Sequence, residues 1–313
     1  MNQTHRNYLL HSLLLLALFA AMAGCRKVDV SADVICKALP ESPVWGWRYS
    51  FDTPVVGGAR FNPNNPNEIV ILDYTWVPHR TSICILNTAT AARRCIYEGN
   101  VDAVPSWGKN GWILFVEGAG TVYRIHESGD SLQALTSSGA NYDPVWNVDG
   151  LRYGFRSNGT GTNLYYLFHE DGTPIDTLIN SGLGQSWNHP TYSPGAYSAQ
   201  LVLTDTERDS LIILESEPDN GQSGGGAVFV DDHTLVYAYP SGIYAMDIQT
   251  RKKTVLRETC NSVLYKFPDY SPTLNKLIWL KITLTPLSYS EMRVTHELVT
   301  MDADGNHEEL VGL

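Results

Sequence analysis

One short phrase recurs six times along this chain, and it restricts the fold more than any other feature. The phrase is an aromatic residue, a turn of the Ser/Asn-Pro-Asn/Asp-Gly type, an apolar strand, and a second strand ending in an acidic or polar turn. The fullest copy runs from Asp143 to Gly172. Its anchoring aromatics are Phe61, Trp107, Trp146, Tyr192, Phe229 and Tyr270, spaced by 46, 39, 46, 37 and 41 residues. One four-stranded propeller blade takes about 40–50 residues. The spacing therefore predicts an all-β, six-bladed β-propeller of four-stranded antiparallel blades over residues 56–313.

Each aromatic is followed by corner chemistry: Asn62-Pro63-Asn64, Gly108-Lys109-Asn110-Gly111, Asn147-Val148-Asp149-Gly150, Ser193-Pro194-Gly195, Val230-Asp231-Asp232-His233 and Ser271-Pro272-Thr273. Gly, Asn and Asp tolerate positive φ and Pro presets a turn. Apolar runs follow at Ile69 to Leu72, Trp112 to Val116, Leu151 to Phe155, Leu201 to Leu203, Thr234 to Tyr239 and Lys276 to Leu280. Second strands are expected at Ile83 to Leu86, Val122 to Ile125, Leu164 to Phe168, Leu211 to Leu214, Ile243 to Met246 and Leu298 to Met301. Glu308 to Val311 is expected as a last exiting strand.

The first 24 residues are a different object. A polar head with Arg6, an apolar core from Leu13 to Ala23, and then Ala23-Gly24-Cys25 have the layout of a secretory signal. The core is too short to span a bilayer. Met22-Ala23-Gly24-Cys25 resembles the bacterial lipobox, with Met where Leu is usual, which implies lipidation at Cys25. A plain cleaved leader with an incidental cysteine is the alternative. Residues 25–55 are expected to form a lipid-anchored tether and N-terminal arm ahead of the ring.

Charge and cysteine usage fit an exported domain, which is expected to be monomeric. With 33 acidic against 22 basic residues the chain repels phosphate backbones, so nucleic acid is an unsuitable partner. Beside Cys25 stand Cys36, Cys84, Cys95 and Cys260. Cys84 and Cys95 face one another if Leu86 pairs with Arg93 across their hairpin, which allows a disulfide. Cys36 with Cys260 is then the pair left by elimination, and reduced, buried thiols remain the alternative for all four. No Cys-x-x-Cys or Cys/His spacing supports a zinc site, and no cofactor is expected.

Several fragments of the phrase are similar to the TolB-type, WD-like six-bladed propeller repeat. They are Pro190-Thr191-Tyr192-Ser193-Pro194, Pro268-Asp269-Tyr270-Ser271-Pro272, Ile243-Tyr244-Ala245-Met246-Asp247 and Val299-Thr300-Met301-Asp302-Ala303-Asp304-Gly305. Blade one lacks the leading Pro, and blade five replaces the corner with Val230-Asp231-Asp232-His233. Nothing resembling TolB's separate N-terminal α/β domain precedes the repeat, so the resemblance implies the propeller rather than a role in the Tol system. Such propellers serve as binding platforms and as domains of peptidases and lyases.

In a propeller the innermost strands line a central channel. The segments before the aromatics supply Arg60, Asp102, Asn141, Tyr142, Asp143, Trp187, His189, Lys266 and Asp269 as candidate ligand-binding residues, with Tyr265 as a further stacking surface. Each has a plainer role available: His189 bonding a neighbouring carbonyl, the aspartates capping amides, Arg60 and Lys266 neutralising them. Propeller lyases that resemble this fold gather several histidines around a metal, whereas His189 alone falls on an inner segment here, so no metal site is expected. Asp102 and Asp143, with His189, are the carboxylates a catalytic reading would use. No Gly-x-Ser-x-Gly elbow occurs.

These observations favour a non-catalytic, lipid-anchored binding scaffold of the bacterial cell envelope. It would sit on the outer membrane and recognise a protein or a glycan at one rim. The alternative is a carbohydrate-active envelope enzyme, a lyase or glycoside hydrolase, working at the channel.

Overall fold

A computed structural model of the protein describes residues 48–52, 55–75, 80–137, 139–158, 164–178, 186–197, 200–216, 225–260 and 262–313. The expected signal, the Cys25 anchor, most of the arm and Cys36 lie outside them. After a short β1 (Arg48–Phe51), the strands form six sheets in sequence order. Blade one is β2 (Val55–Phe61), β3 (Glu68–Thr75), β4 (Arg80–Asn87) and β5 (Arg93–Gly99). Blade two is β6 (Ser106–Trp107), β7 (Trp112–Glu117), β8 (Thr121–His126) and β9 (Gln133–Ala134). Blade three is β10 (Asn141–Trp146), β11 (Arg152–Ser157), β12 (Leu164–His169) and β13 (Pro174–Leu178). Blade four shows β14 (Tyr192–Tyr197), β15 (Gln200–Asp205) and β16 (Ser210–Ser216). Blade five is β17 (Ala227–Phe229), β18 (Thr234–Tyr239), β19 (Gly242–Asp247) and β20 (Lys253–Glu258). Blade six is β21 (Val263–Ser271), β22 (Lys276–Pro286) and β23 (Glu291–Asp302), and its outer edge is shared by β1, running parallel, and β24 (Glu309–Leu310), running antiparallel.

The fold is a six-bladed β-propeller, and the alternation of its strands explains why. Side chains of a strand point alternately to its two faces. On β3, Ile69 and Ile71 join the core against blade six, while Val70 and Leu72 join the core against blade two. On β18, Leu235, Tyr237 and Tyr239 face blade four, while Val236 and Ala238 face blade six. The same split divides β7 and β22. Strands covered on both faces read as continuous apolar runs, which is how they appear in the sequence.

One backbone bond recurs in every blade and sets its phase. The amide after the third strand donates to the carbonyl just before the second: Thr88 to Asn67, Glu127 to Gly111, Glu170 to Leu151, Thr206 to Thr191, Ile248 to His233 and Ala303 to Asn275. This corrects blade four. Tyr192 is not its anchoring aromatic but the first residue of β14, which is the blade's second strand, and Ser193-Pro194-Gly195 lies within that strand rather than in a turn. Leu201 to Leu203 belongs to the third strand and Leu211 to Leu214 to the outermost. The aromatic in phase is Trp187, which makes the spacings 46, 39, 41, 42 and 41. The true corner is the stretch after Trp187, which carries Asn188 and Pro190. Ser186–His189 takes the inner position without a strand ladder, leaving β14 on the edge of its described sheet. An edge is where a strand tolerates a residue such as Pro194.

Four of the inner segments, in blades one, three, five and six, share a kink three residues before the aromatic. Gly58, Asp143, Gly226 and Phe267 have φ of 132°, 50°, 102° and 56°. In three of these strands the register slips at that point. Such bulges sharpen the twist that carries the strand around the channel. At Gly58 a Cβ would lie 2.9 Å from Val104 Cγ2, so glycine is required by space as well as by φ.

The seam between blades six and one, where an early segment meets a late one, is held by polar bonds above its apolar core. Asp269 Oδ2 accepts from the Phe61 amide at 2.7 Å, and the Arg60 guanidinium donates to the carbonyls of Phe267 and Pro268 at 2.9 and 3.3 Å. Burial pulls Arg60 below the ordinary guanidinium range against the opposite charge of Asp269. Elsewhere Cys84 and Cys95 face each other in register, with Leu86 opposite Arg93, and are joined as a disulfide. Cys260 is also disulfide-bonded, to a cysteine outside the described residues.

Replacing Asp269 by Ala strands Arg60 without its counter-charge and leaves the Phe61 amide unpaired. Chemical denaturation should show a loss of about 3–5 kcal/mol. The Arg60→Ala, Asp269→Ala double variant should lose less than the sum of the two single changes.

Candidate functional site

The ends of the inner strands and the corners that follow them converge on one mouth of the ring. There they frame a recess of about 270 Å³ with residues from all six blades. Phe61, Trp107, Trp146, Trp187, Phe229 and Tyr270 form its walls, Pro63, Pro66, Val148 and Pro272 part of its lip. The volume suits one or two side chains and falls just below the usual range for small-molecule pockets.

Most polar groups at this mouth are occupied in joining blades. The Trp146 amide donates to Ser106 Oγ at 2.9 Å across the seam between blades two and three. Asn188 brackets Phe229, accepting from its amide at 3.1 Å and donating to its carbonyl at 2.6 Å. Asn64 reaches the Lys109 carbonyl at 2.9 Å, Asn110 the Gly150 carbonyl at 3.0 Å, and Asn147 the His189 carbonyl at 3.4 Å. Blades one to five are thereby linked in succession at this mouth.

His189 is buried and similarly committed. Its Nδ1 accepts from the Thr191 and Tyr192 amides, both at 3.1 Å. Its ring packs 4.6 Å from that of Phe229 and 5.1 Å from that of Tyr192. Desolvation holds the imidazole below the ordinary histidine range, against the charge and backbone carbonyl of Asp232. A neutral ring whose Nδ1 is filled by two amides is a structural pivot, poorly placed to shuttle protons.

The sequence candidates divide between two places. Arg60, Trp187, His189 and Asp269 line the recess. Asp102, Asn141, Tyr142, Asp143 and Lys266 are not in its lining: Asp102 precedes β6, Asn141, Tyr142 and Asp143 open β10, and Lys266 lies midway along β21. Asn141 is buried and donates to the Gly120 carbonyl at 2.6 Å. Asp143 pairs with Arg156 at 3.3 Å, and Arg156 also lies 5.2 Å over the Tyr142 ring. Partial desolvation lifts the Asp102 carboxyl, whose charge in turn helps raise Tyr74. Tyr265 is buried at the seam between blades five and six, donating to Glu308 at 2.6 Å, and offers no stacking face. The structure thus does not bring Asp102 and Asp143 together with His189. Among the described residues, no group of three or more His, Cys, Asp or Glu is placed to hold a metal ion.

Sequence reasoning missed the corner residues Lys109, Val148, Asp231 and Asp232, all exposed at the mouth. The signal was present, since these turns were recognised as turns, but binding was assigned to the strand before each aromatic instead of the corner after it. Asp231 is shaped for display. Burial pushes its carboxyl up, but the His233 and Thr234 amides, donating to Oδ1 at 2.8 and 2.6 Å, prevail and hold it below the usual range.

Solved structures similar to this one include a protein assigned as TolB from Agrobacterium tumefaciens, 18% identical over 74% of this chain and 88% of that one, with a TM-score of 0.59. The β-propeller domain of the trilobed protease from Pyrococcus furiosus is 13% identical over 83% of this chain and 96% of that one, at 0.52. The acylaminoacyl peptidase of Pyrococcus horikoshii is 11% identical over 84% of this chain and 52% of that one, at 0.53. At these identities the likeness is one of fold, and the fold is a TolB-like propeller. No protein-family model matches the chain, and no curated protein matches it.

The depressed His189 sets a pH dependence. In the unfolded chain histidine takes up a proton below about pH 6.5, while the folded ring stays neutral, so the unfolded state binds more protons and stability falls as pH drops below that value. His296, also lowered by burial, adds to the slope. His189→Asn, which retains an acceptor for the two amides, should flatten part of the decline between pH 7 and 5 in thermal melts. The His189 ring resonances of the native protein should titrate at lower pH than those of an unperturbed histidine.

Proposed function

We propose that this protein is a non-catalytic binding scaffold of the bacterial cell envelope, holding a segment of a partner protein at the recessed mouth of its propeller. The observation that carries the reading is the recess itself, framed by all six blades, with Ser106, Asn147, Asn188 and His189 already engaged in bonds that fix the frame. Such a frame is rigid and chemically quiet. What it presents to a visitor is the ring of corner residues, the usual place for recognition on a fixed scaffold.

Protein is favoured over glycan because the aromatic faces are spent. Trp107, Trp146 and Trp187 expose 7%, 4% and 1% of their surface, and the Arg152 guanidinium lies 5.5 Å over the Trp187 ring. Sugar rings need an open aromatic platform. Apolar lip residues beside Asp231, Asp232 and Lys109 instead suit an extended chain carrying mixed side chains. A catalytic role has no comparable support, since the acids it would use stand apart from His189.

The location follows from the lipobox-like Met22-Ala23-Gly24-Cys25 and the short apolar core before it. Acyl chains on Cys25 would hold the mature protein at the outer membrane. Among the described residues no helix is long and apolar enough to cross a membrane.

A photo-crosslinking amino acid in place of Val148, which is exposed at the lip, should trap one defined envelope protein in living cells. The same label at Leu310, on the outer edge of blade six, should not. Adding Asp231→Lys and Asp232→Lys should reduce the adduct severalfold without lowering the melting temperature. Absence of a mouth-specific adduct, together with glycan binding lost on the same charge reversals, would replace the protein partner with a glycan. Cells fed an alkyne-tagged fatty acid should label the wild-type chain and leave Cys25→Ser unlabelled; equal labelling of both would remove the anchor from the proposal.

A further inference from the structure

The disulfide on the outer edge of blade one has the surroundings of a reactive bridge. Cys84 on β4 is fully buried in the core shared with Ile69, Ile71 and Ile278. Cys95 is on β5, the outermost strand of the blade, and is exposed. Arg93 brings Nη2 to 3.3 Å from Cys84 Sγ and 3.8 Å from Cys95 Sγ. Asp73 on β3 pairs with the same nitrogen and fixes the guanidinium over the bridge. Arg94, next in sequence, donates to the Glu127 carbonyl on blade two, so the segment leading into Cys95 is cationic and tethered.

This arrangement separates the two sulfurs chemically. An attacking thiolate can reach Cys95 and not Cys84, and the sulfur then expelled is that of Cys84, the one nearer the guanidinium. A cation beside a sulfur favours its thiolate, and a more stable thiolate leaves faster. Burial of Cys84 opposes this. The guanidinium outweighs it because Arg93 supplies at hydrogen-bond distance the donor and charge that water would otherwise provide.

We propose that Cys84–Cys95 is a thiol–disulfide exchange site for a dithiol reductant. The first thiolate of the reductant attacks Cys95 Sγ, forming a mixed disulfide and breaking the Cys95–Cys84 bond. The electron pair of that bond goes to Cys84 Sγ, held as a thiolate by Arg93. The second thiolate of the reductant attacks its own sulfur in the mixed disulfide, releasing Cys95 as a thiolate. The reductant leaves as a disulfide, two electrons have passed to the protein, and the two protons of the dithiol are free for Cys84, Cys95 or solvent. Opening the bridge leaves β5 held to β4 by the backbone ladder, the Arg80–Glu98 ion pair and the bond from Thr81 to the Gly99 carbonyl.

The full-length native protein carries its own reference, the disulfide at Cys260. It is exposed to graded dithiothreitol near neutral pH without denaturant, quenched with iodoacetamide, and mapped by peptide mass spectrometry. Cys84 and Cys95 should be alkylated about tenfold faster than Cys260 or more, and in a parallel arm with reduced glutathione in place of dithiothreitol the mixed disulfide should be caught on Cys95. Arg93→Gln should slow reduction by about threefold or more, because the Cys84 sulfur then leaves without the cation that favours its thiolate. Arg93→Lys should keep most of the rate. A merely structural Arg93 acts in the opposite direction, because loosening β5 speeds access to the bridge. The proposal fails if the bridge opens only with Cys260, if glutathione is found on Cys84, or if Arg93→Gln reduces at the native rate or faster.

Discussion

No blade of this protein can stand alone, because its strands are apolar on both faces. A sheet packed on one side leaves the other exposed to water, and only a neighbouring blade covers it. Six blades cover one another in succession, so the last must meet the first. Everything at the seam of blades six and one follows from that requirement: the apolar core of Val56, Ile69 and Ile71 with Ile278 and Leu280, the Arg60 and Asp269 bonds above it, and the split outer strand. The C-terminal segment is fastened in turn by Glu308, which accepts from Lys281 at 2.7 Å, from Tyr265 and from Arg257. Burial works against the Glu308 carboxylate, but these donors together hold it below its ordinary range. A similar clamp at the seam of blades four and five joins Glu215 to Lys253 and Tyr237.

The same requirement governs what the mouth can do. Side chains that looked like free polar groups lining a channel turn out to be the fasteners of the ring. Asn188 grips Phe229, Ser106 receives Trp146, and His189 caps two amides. Freedom is left to the corner residues beyond the aromatics, and there the charge and contour of the six blades differ most. Recognition and architecture are thus assigned to adjacent but distinct positions along each repeat.

Much of this was legible in the chain. Continuous apolar runs of strand length, turn residues between them and a period near 41 residues give the number of blades, because each has a direct physical cause. The pairing of Cys84 with Cys95 was legible from hairpin register. Blade four was not, since Tyr192-Ser193-Pro194 imitates a corner while the real one, with Asn188 and Pro190, lies a few residues earlier. Its inner stretch forms no ladder, so it carries no strand signature to correct the phase. Nor could the sequence say which inner-strand residues face the recess. A bulge three residues before the aromatic reorients the strand, and the starts of the inner strands, with Asn141 and Asp143, lie away from the mouth where Trp146 ends. The use of Arg60 and Asp269 as a seam clasp depends on contacts between positions 209 residues apart, which no local pattern records.

The divided edge of blade six bears on how the molecule is made. Strand β1 adds in parallel to β23, pairing Arg48 with Glu291 and Phe51 with Val294, while β24 covers the far end of the same strand. An early segment must therefore wait, without its partner, until β23, about 240 residues further along, is free to fold. Contacts of such long sequence separation are slow to form, and the unfilled edge is open to strands of other molecules in the interval. Ring closure is thus a late step in folding the propeller, and the period before it is when the ring most needs a chaperone.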